Sequence, residues 1–359
     1  MKLQYAFSLS VFGTYFLLIF GLFALIIKNI YRSKASNSHG AGKALVFIAL
    51  TIASLAHTWF YMFKYMAWSF ANYELSLAGG ETQDLLHRIA SWLYDTSLFE
   101  EAWALVCFHP LNWWWSEQLC TFTVGAWTVF LAIEGNRYNV KHLWAYMLLG
   151  QIVAISVASN LFYLALVLSQ PPPQEQVSKL TTGPKLWITV ILSLATVAIS
   201  PSTSRQTFLP NLLVMHALLF IPVIGSPSTS LGGPSARFSI DSRNLLRIVQ
   251  LTAAIIHLRT VLAAVNFLKQ GEQSAAPSMV AVAWTVLHSH PAQSSIGWDV
   301  IWTTISFVIW ILARPARPFQ GSRNMALSYL LLATPVSSVG VTAPYVLRPL
   351  SEPAIVKEE

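Results

Sequence analysis

From Tyr5 to Ile27 the chain carries no charged side chain, and from Leu143 to Ser169 it again carries none. A hydrocarbon layer about 30 Å thick is crossed by roughly 20 apolar residues, so such stretches restrict the chain to elements that satisfy their own backbone hydrogen bonds in lipid. Further apolar runs lie at 44–69, 114–134, 246–268 and 324–347. Shorter ones at 186–200, 208–225 and 298–313 are expected to be tilted, broken or paired. With 55% hydrophobic and only 10% charged residues over 359 positions, the composition lies outside that of soluble domains. The expectation is an all-α, polytopic membrane bundle of about eight or nine transmembrane helices, one domain over 1–350 followed by a short tail at 351–359. Residues 3–27 are too long for a secretory signal core and no small-x-small cleavage site follows, so this segment is expected to remain as an anchor.

The net charge of +7 is scattered over helix ends, which argues against a nucleic-acid partner and for the positive-inside rule. Lys28, Arg32, Lys34 and Lys43 make the first loop cytoplasmic, the loop with Glu74, Glu81 and Asp84 lumenal, and Arg137 and Lys141 mark a return to the cytoplasm. Nine spans would place Arg314, Arg317 and Arg323 on the lumenal side, so either a weak span between 186 and 313 is miscounted or that loop breaks the rule. Cys107 and Cys120 are the only cysteines, too few for a disulfide framework. "SQPPPQEQ" (169–176), "GSPSTSLGGPSAR" (225–237) and "LKQGEQSAAPS" (268–278) read as loops within one bundle.

Against this background "LYDTSLFEEAWALVCFHPLNWWWSEQ" (93–118) gathers three acids and then three consecutive tryptophans. Asp95, Phe99, Trp103 and Val106 recur at helical spacing, but Glu100 and Glu101 oppose a lipid-exposed span. The stretch 91–108 is expected to be a helix at the interface or buried against the bundle, ending near His109-Pro110. On one straight helix Asp95 and Glu101 point about 120° apart, so without a bend they cannot share a small site. A solvated face for the acids and an interfacial belt for Trp113, Trp114 and Trp115 are the plain alternatives.

Other polar positions fall inside the spans. His57, Tyr61, Lys64 and Trp68 form one helical stripe that faces protein or a cavity, unless Lys64 merely snorkels to the headgroups. Ser156, Asn160 and Tyr163 share a face of the 143–169 run, where interhelical hydrogen bonding competes with a pocket-lining role for Asn160. His257 lies on a face with Arg247 and Gln250, and Arg259, deep in its span, demands a partner. Asp299 opens the run "GWDVIW", where a carboxylate can cap a helix N-terminus or meet its dipole. Glu134 closes the third span before Gly135, a plausible helix stop, with Arg137 in reach of the acid.

Histidine runs at metal spacing, HExxH, phosphate-cradling glycine loops, GxSxG and DDxxD-type diphosphate motifs are all absent from the sequence. What remains is a greasy bundle with a few carboxylates and many rings. A desolvated carboxylic acid can donate a proton, aromatic faces attract cations, and both suit carbocation cyclisation in a site that excludes water.

"DTSLFEEAW" (95–103), "WWWSEQ" (113–118), "IEGNRY" (133–138) and above all "LWAYMLLGQIVAISVASNLFYLAL" (143–166) resemble the fungal membrane-bound terpene cyclases of meroterpenoid pathways, the group that includes the ascochlorin and ascofuranone cyclases. The similarity runs over about 91–170 and returns at "GWDVIW" near 298–302. The resemblance implies cyclisation of a farnesyl chain on an aromatic or polyketide head, begun by protonating a terminal epoxide or alkene, with no metal and no redox cofactor. It implies that Asp95, Glu101 and Asp299, then Glu134, are the candidate acids. Trp59, Trp103 and Trp113 to Trp115 are candidate cation-facing rings, with Tyr61, Asn160 and Tyr163 as further substrate contacts. It also implies residence in the endoplasmic reticulum and a functional link to a prenyltransferase and oxidases. Asn136 in "EGNRY" stands where a second basic residue is expected. A sterol-type double-bond isomerase and a small transporter or receptor are the alternative classes.

Overall fold

The computed structural model describes residues 3–33, 41–76, 84–169, 180–225, 229–231, 238–270, 278–314 and 323–348. Lys34, Glu81, Arg317, the tail at 351–359 and most of the three loop segments named above lie outside the described residues. The protein is an all-α polytopic bundle, and among the described residues six helices are long and apolar enough to cross a membrane: Leu3–Ser33 (α1), Ala41–Ser76 (α2), Pro184–Ser202 (α9, Pro184–Ile199, with a closing 3-10 turn), Arg205–Val223 (α10, Arg205–Phe220, with another), Ser242–Gln270 (α11) and Pro291–Ala313 (α13). The three runs expected to be short or broken are thus full-length helices. Each recruits residues that an apolar window omits, including Pro at the first helical turn of α9 and α13, where its missing N–H costs nothing.

Conversely, two of the long runs are cut. Residues 143–169 form α7 (Leu143–Ile152) and α8 (Ile155–Leu168), separated at Val153 and Ala154, whose backbone is extended at Ala154. The run 324–347 forms α14 (Arg323–Ser337) and α15 (Val339–Leu347), cut at Ser338 with φ 71°, in the left-handed region. The third span is continuous but not regular: α5 (Pro110–Thr121) passes through a π-helical turn, Phe122–Trp127, into α6 (Thr128–Arg137). Every residue from Trp115 to Gly135 is buried, as is every residue from Ile155 to Leu166. These two elements form the inner core, while α1 turns Leu3, Phe7, Leu17 and Phe20 outward as a lipid-facing surface would.

The stretch 91–108 is two helices, α3 (Leu85–Asp95) and α4 (Leu98–Cys107), which do end before His109-Pro110. A bend at Thr96 and Ser97 removes the single straight axis on which the 120° separation of Asp95 and Glu101 rests. The α6 helix continues past Gly135 to Arg137 and is closed by Asn139 at φ 53°, a residue that tolerates the left-handed turn. Gly135 serves packing instead: a Cβ there would meet Leu143 Cδ2 at 2.4 Å. Inside the segment read as loop 225–237, Thr229–Leu231 (β2) pairs with Leu180–Thr182 (β1), which also pairs with Ile240–Asp241 (β3), giving a three-stranded antiparallel sheet of order β2-β1-β3. The short helix α12 (Met279–Leu287) precedes α13.

Candidate functional site

A cut helix leaves backbone groups unpaired at membrane depth, where each costs several kcal/mol unless protein or a cavity satisfies it. At the break between α7 and α8 two distant side chains do so. The Tyr15 hydroxyl of α1 donates to the Ile152 carbonyl at 2.6 Å, closing the end of α7. The Asp299 carboxylate of α13 accepts from the Ile155 and Ser156 amides at 2.9 and 2.8 Å, closing the start of α8. Asp299 therefore does meet a helix N-terminus, but that of α8, while itself sitting within α13.

Both side chains face one cavity of about 330 Å³. The six residues Gly150 to Ile155 form its polar edge; Tyr65, Phe99, Trp103, Met62, Met215 and Leu219 make much of its apolar wall; Thr123 and Val124 bring in the π-helical turn. Such turns arise frequently at functional sites. Among the described residues Asp299 is the only carboxylate in the lining. His216 of α10 also faces the cavity. Its Nδ1 lies 2.7 Å from the Leu212 carbonyl, which can only accept, so Nδ1 carries the proton and Nε2 is left as an acceptor. The Trp103 ring meets the His216 ring edge-on at 6.0 Å.

Of the four candidate acids the structure brings only Asp299 to this cavity. Asp95, exposed at the end of α3, accepts from the Tyr73 hydroxyl at 2.5 Å. Glu101 is exposed in the first turn of α4, where with Glu100 it complements the helix dipole. Glu134 is buried but pairs with Arg137 at 3.3 Å. Among the ring candidates Trp103 lines the cavity. Trp59 packs on Phe16 and Phe63. Tyr61 packs on His57, which accepts from Trp302 Nε1 at 3.2 Å and stacks on Trp298, so that stripe faces α13 while Lys64 is exposed. Trp113 and Trp115 are buried; Trp115 donates to the Ala283 carbonyl and carries Trp114 against its face. Asn160 and Tyr163 lie in the core behind the cavity, Asn160 donating to Ser54 Oγ at 3.4 Å. Arg259 finds its partner in the Ala198 carbonyl at 2.5 Å.

Three functional candidates escaped the sequence reading. His216 shows only as a histidine in an apolar run, four residues after the Leu212 carbonyl it bonds. Tyr15 lies in a segment read as an anchor. Glu117, in α5, is fully buried and reaches His257 Nδ1 through Oε2 at 2.7 Å, while His257 Nε2 faces the Val336 carbonyl at 3.1 Å. Because that carbonyl only accepts, Nε2 is protonated, and one further proton is held between Glu117 and Nδ1. Among the described residues no three His, Cys, Asp or Glu side chains come together as a metal site would require.

Fold and site define a polytopic helical membrane protein with an internal, mostly apolar cavity opened by a broken helix. A family model described as "Protein of unknown function DUF2834" matches residues 120–167, which run from the end of α5 through the π-helical turn, α6 and α7 into α8. No curated protein and no solved structure matches the chain.

Proposed function

We propose that the protein is an integral-membrane terpene cyclase of the endoplasmic reticulum that closes rings in a farnesyl chain carried on an aromatic or polyketide head, as part of a meroterpenoid pathway. The observation that carries this reading is the pairing of a single buried carboxyl, Asp299, with a ring-lined apolar cavity of about 330 Å³, within the range of about 300–1,000 Å³ usual for small-molecule sites. Each Asp299 oxygen uses one lone pair on a backbone amide; the other can carry a proton toward the cavity. Asp299 gives that proton to the terminal epoxide oxygen or alkene carbon, the π-electrons of successive double bonds form the ring bonds, and the final cation loses a proton to His216 Nε2. Trp103, Phe99 and Tyr65 present π-faces that stabilise positive charge without attacking it as water would. The prenyltransferase that makes the substrate and the oxidases that epoxidise it or finish the product are its pathway partners.

The test is conversion of a farnesylated phenol, or its terminal epoxide, by microsomes that contain the protein. Asp299→Asn is expected to abolish product, while Asp95→Asn and Glu101→Gln retain it. Full activity in Asp299→Asn would remove the acid assignment. Isomerisation of a Δ8 sterol in place of the prenylated phenol would replace the cyclase with a sterol-type isomerase. His216→Asn should change which alkene or alcohol ends the cascade more than it changes substrate consumption.

A further inference from the structure

Behind Asp299, away from the cavity, six side chains of α8 and α13 place polar atoms in the core with no hydrogen-bond partner: Ser156, Ser159, Asn160 (its Oδ1), Tyr163, Thr303 and Ser306. All six residues have 0% of their surface exposed. Native proteins leave few such atoms; the great majority bond to protein or to ordered water. These six are not scattered. Thr303 lies one helical turn beyond Asp299 and Ser306 almost one further, while Ser156, Ser159 or Asn160, and Tyr163 repeat the same spacing on α8. The two helices run side by side in the same direction, because Asp299 meets Ile155 and Ser156 while Trp310 stacks on Tyr163 at 5.5 Å. The hydroxyls of Ser156 and Thr303 lie beside the Asp299 carboxylate, and that of Ser159 lies beside the Tyr163 hydroxyl, without direct bonds of ordinary geometry. The row thus starts at the carboxyl and extends about 10 Å along α13, to Ser306, at 1.5 Å per residue. One turn further on lies Trp310, over which the Arg314 guanidinium sits 5.9 Å from the ring centre, just past the end of the helix.

We infer that this row holds a file of ordered water that connects Asp299 to the Arg314 end of the bundle and carries protons to it. A buried water needs two to four polar partners, and consecutive members of the row supply them. Polar chains inside membrane bundles commonly mark proton relays. The proton-delivery role rests on the cyclase reading; the water file itself does not. In the reaction each turnover takes one proton from Asp299 and releases one at His216. Once it has given up its proton, Asp299 must regain one before the next turnover, and the file supplies it from the far end.

Brief X-ray radiolysis of the full-length protein in lipid nanodiscs tests the file without any substrate, because radicals form from water and label the rings beside it. Tyr163, although fully buried, is expected to be oxidised, while Phe122, 1% exposed and packed against Trp127 and Phe307, is not. Ser306→Val, which replaces a hydroxyl of the row with methyl groups and removes a partner for buried water, should cut Tyr163 labelling severalfold. Thr303→Val, the same shape as threonine, is the second variant should the first fail to fold. Tyr163 labelled no faster than Phe122 in the wild type overturns the file. Where the protein converts a prenylated substrate, Thr303→Val should lower kcat at unchanged KM and raise the solvent deuterium effect, with Thr303→Ser restoring both. Unchanged kcat and isotope effect would overturn proton delivery. Labelling of Tyr163 without conversion of any prenylated substrate would uphold the file and sink the cyclase reading.

Discussion

The two cut helices solve one problem in opposite ways. Between α7 and α8 the loose backbone opens on a cavity, and the groups that satisfy it, Tyr15 and Asp299, are themselves cavity walls. Between α14 and α15 the break is closed. The Val336 carbonyl takes His257 Nε2, which Glu117 holds from the other side, the Thr334 and Thr342 hydroxyls bond across the gap at 2.8 Å, and α15 is buried along nearly its whole length. Irregular backbone in a membrane protein is therefore not by itself the sign of a site; what distinguishes the two is whether the satisfying side chains border empty space or one another. The first break borders the cavity, and the second holds the hairpin of α14 and α15 against α5 and α11.

The closed break should be the more fragile. Glu117→Leu or His257→Leu leaves a buried polar partner uncompensated and is expected to cost about 3–5 kcal/mol, the range for breaking a buried pair. The double variant Glu117→Leu/His257→Leu should recover part of that loss, because no charge is then left alone. Melting temperatures of the purified protein in detergent decide it: a double variant as unstable as the sum of the singles would show that the pair is not a coupled unit.

One glycine beside each break extends the contrast. A Cβ on Gly340 would stand 2.3 Å from Thr121 Oγ1 and 3.1 Å from the Phe122 backbone nitrogen, so α15 itself must shift. A Cβ on Gly150 would meet chiefly Ile155 Cδ1 at 2.8 Å, the movable end of a side chain. Gly340→Ala is expected to cost about 1–3 kcal/mol, as overpacking of a full core does, and Gly150→Ala distinctly less. Since Gly150 lines the cavity, its variant should lose substrate binding before it loses thermal stability, which ligand binding and melting on the same sample would separate.

How far these features were legible follows from where their determinants lie along the chain. Length and polarity announced the membrane bundle, and local spacing announced the Glu134–Arg137 pair and the stop at His109-Pro110. An arginine in the middle of an apolar run announced that Arg259 needs a partner, though not that it would be a carbonyl. The breaks gave no such notice: neither Val153-Ala154 nor Ser338 is a glycine or proline, and what permits each break comes from far away in sequence. Tyr15 is 137 residues from Ile152, Asp299 144 from Ile155, and His257 79 from Val336. For the same reason Asp299 stood level with Asp95 and Glu101, ahead of Glu134, until the fold brought it alone of the four to the cavity. Hydropathy ranked the runs 143–169 and 324–347 above 186–200, 208–225 and 298–313, yet only the latter are unbroken, because apolar length reports burial and says nothing of a tertiary partner that substitutes for the next backbone bond.

The smallest expected effect is the sharpest test of the contrast. Tyr15→Phe deletes one hydroxyl and leaves the Ile152 carbonyl without its donor. Were that carbonyl sealed in the core, the cost would be that of a buried unsatisfied group, about 1–3 kcal/mol. Because it borders the cavity, water or a bound hydroxyl can replace the phenol, and the loss should stay near the average of about 0.6 kcal/mol for an interhelical hydrogen bond in a membrane. Substituting His257 by Phe removes the corresponding donor from Val336 and also strips buried Glu117 of its partner, and should cost several times more. Equal destabilisation by Tyr15→Phe and His257→Phe would mean that the first break is as sealed as the second, and the cavity would lose the open polar edge on which the proposed chemistry depends.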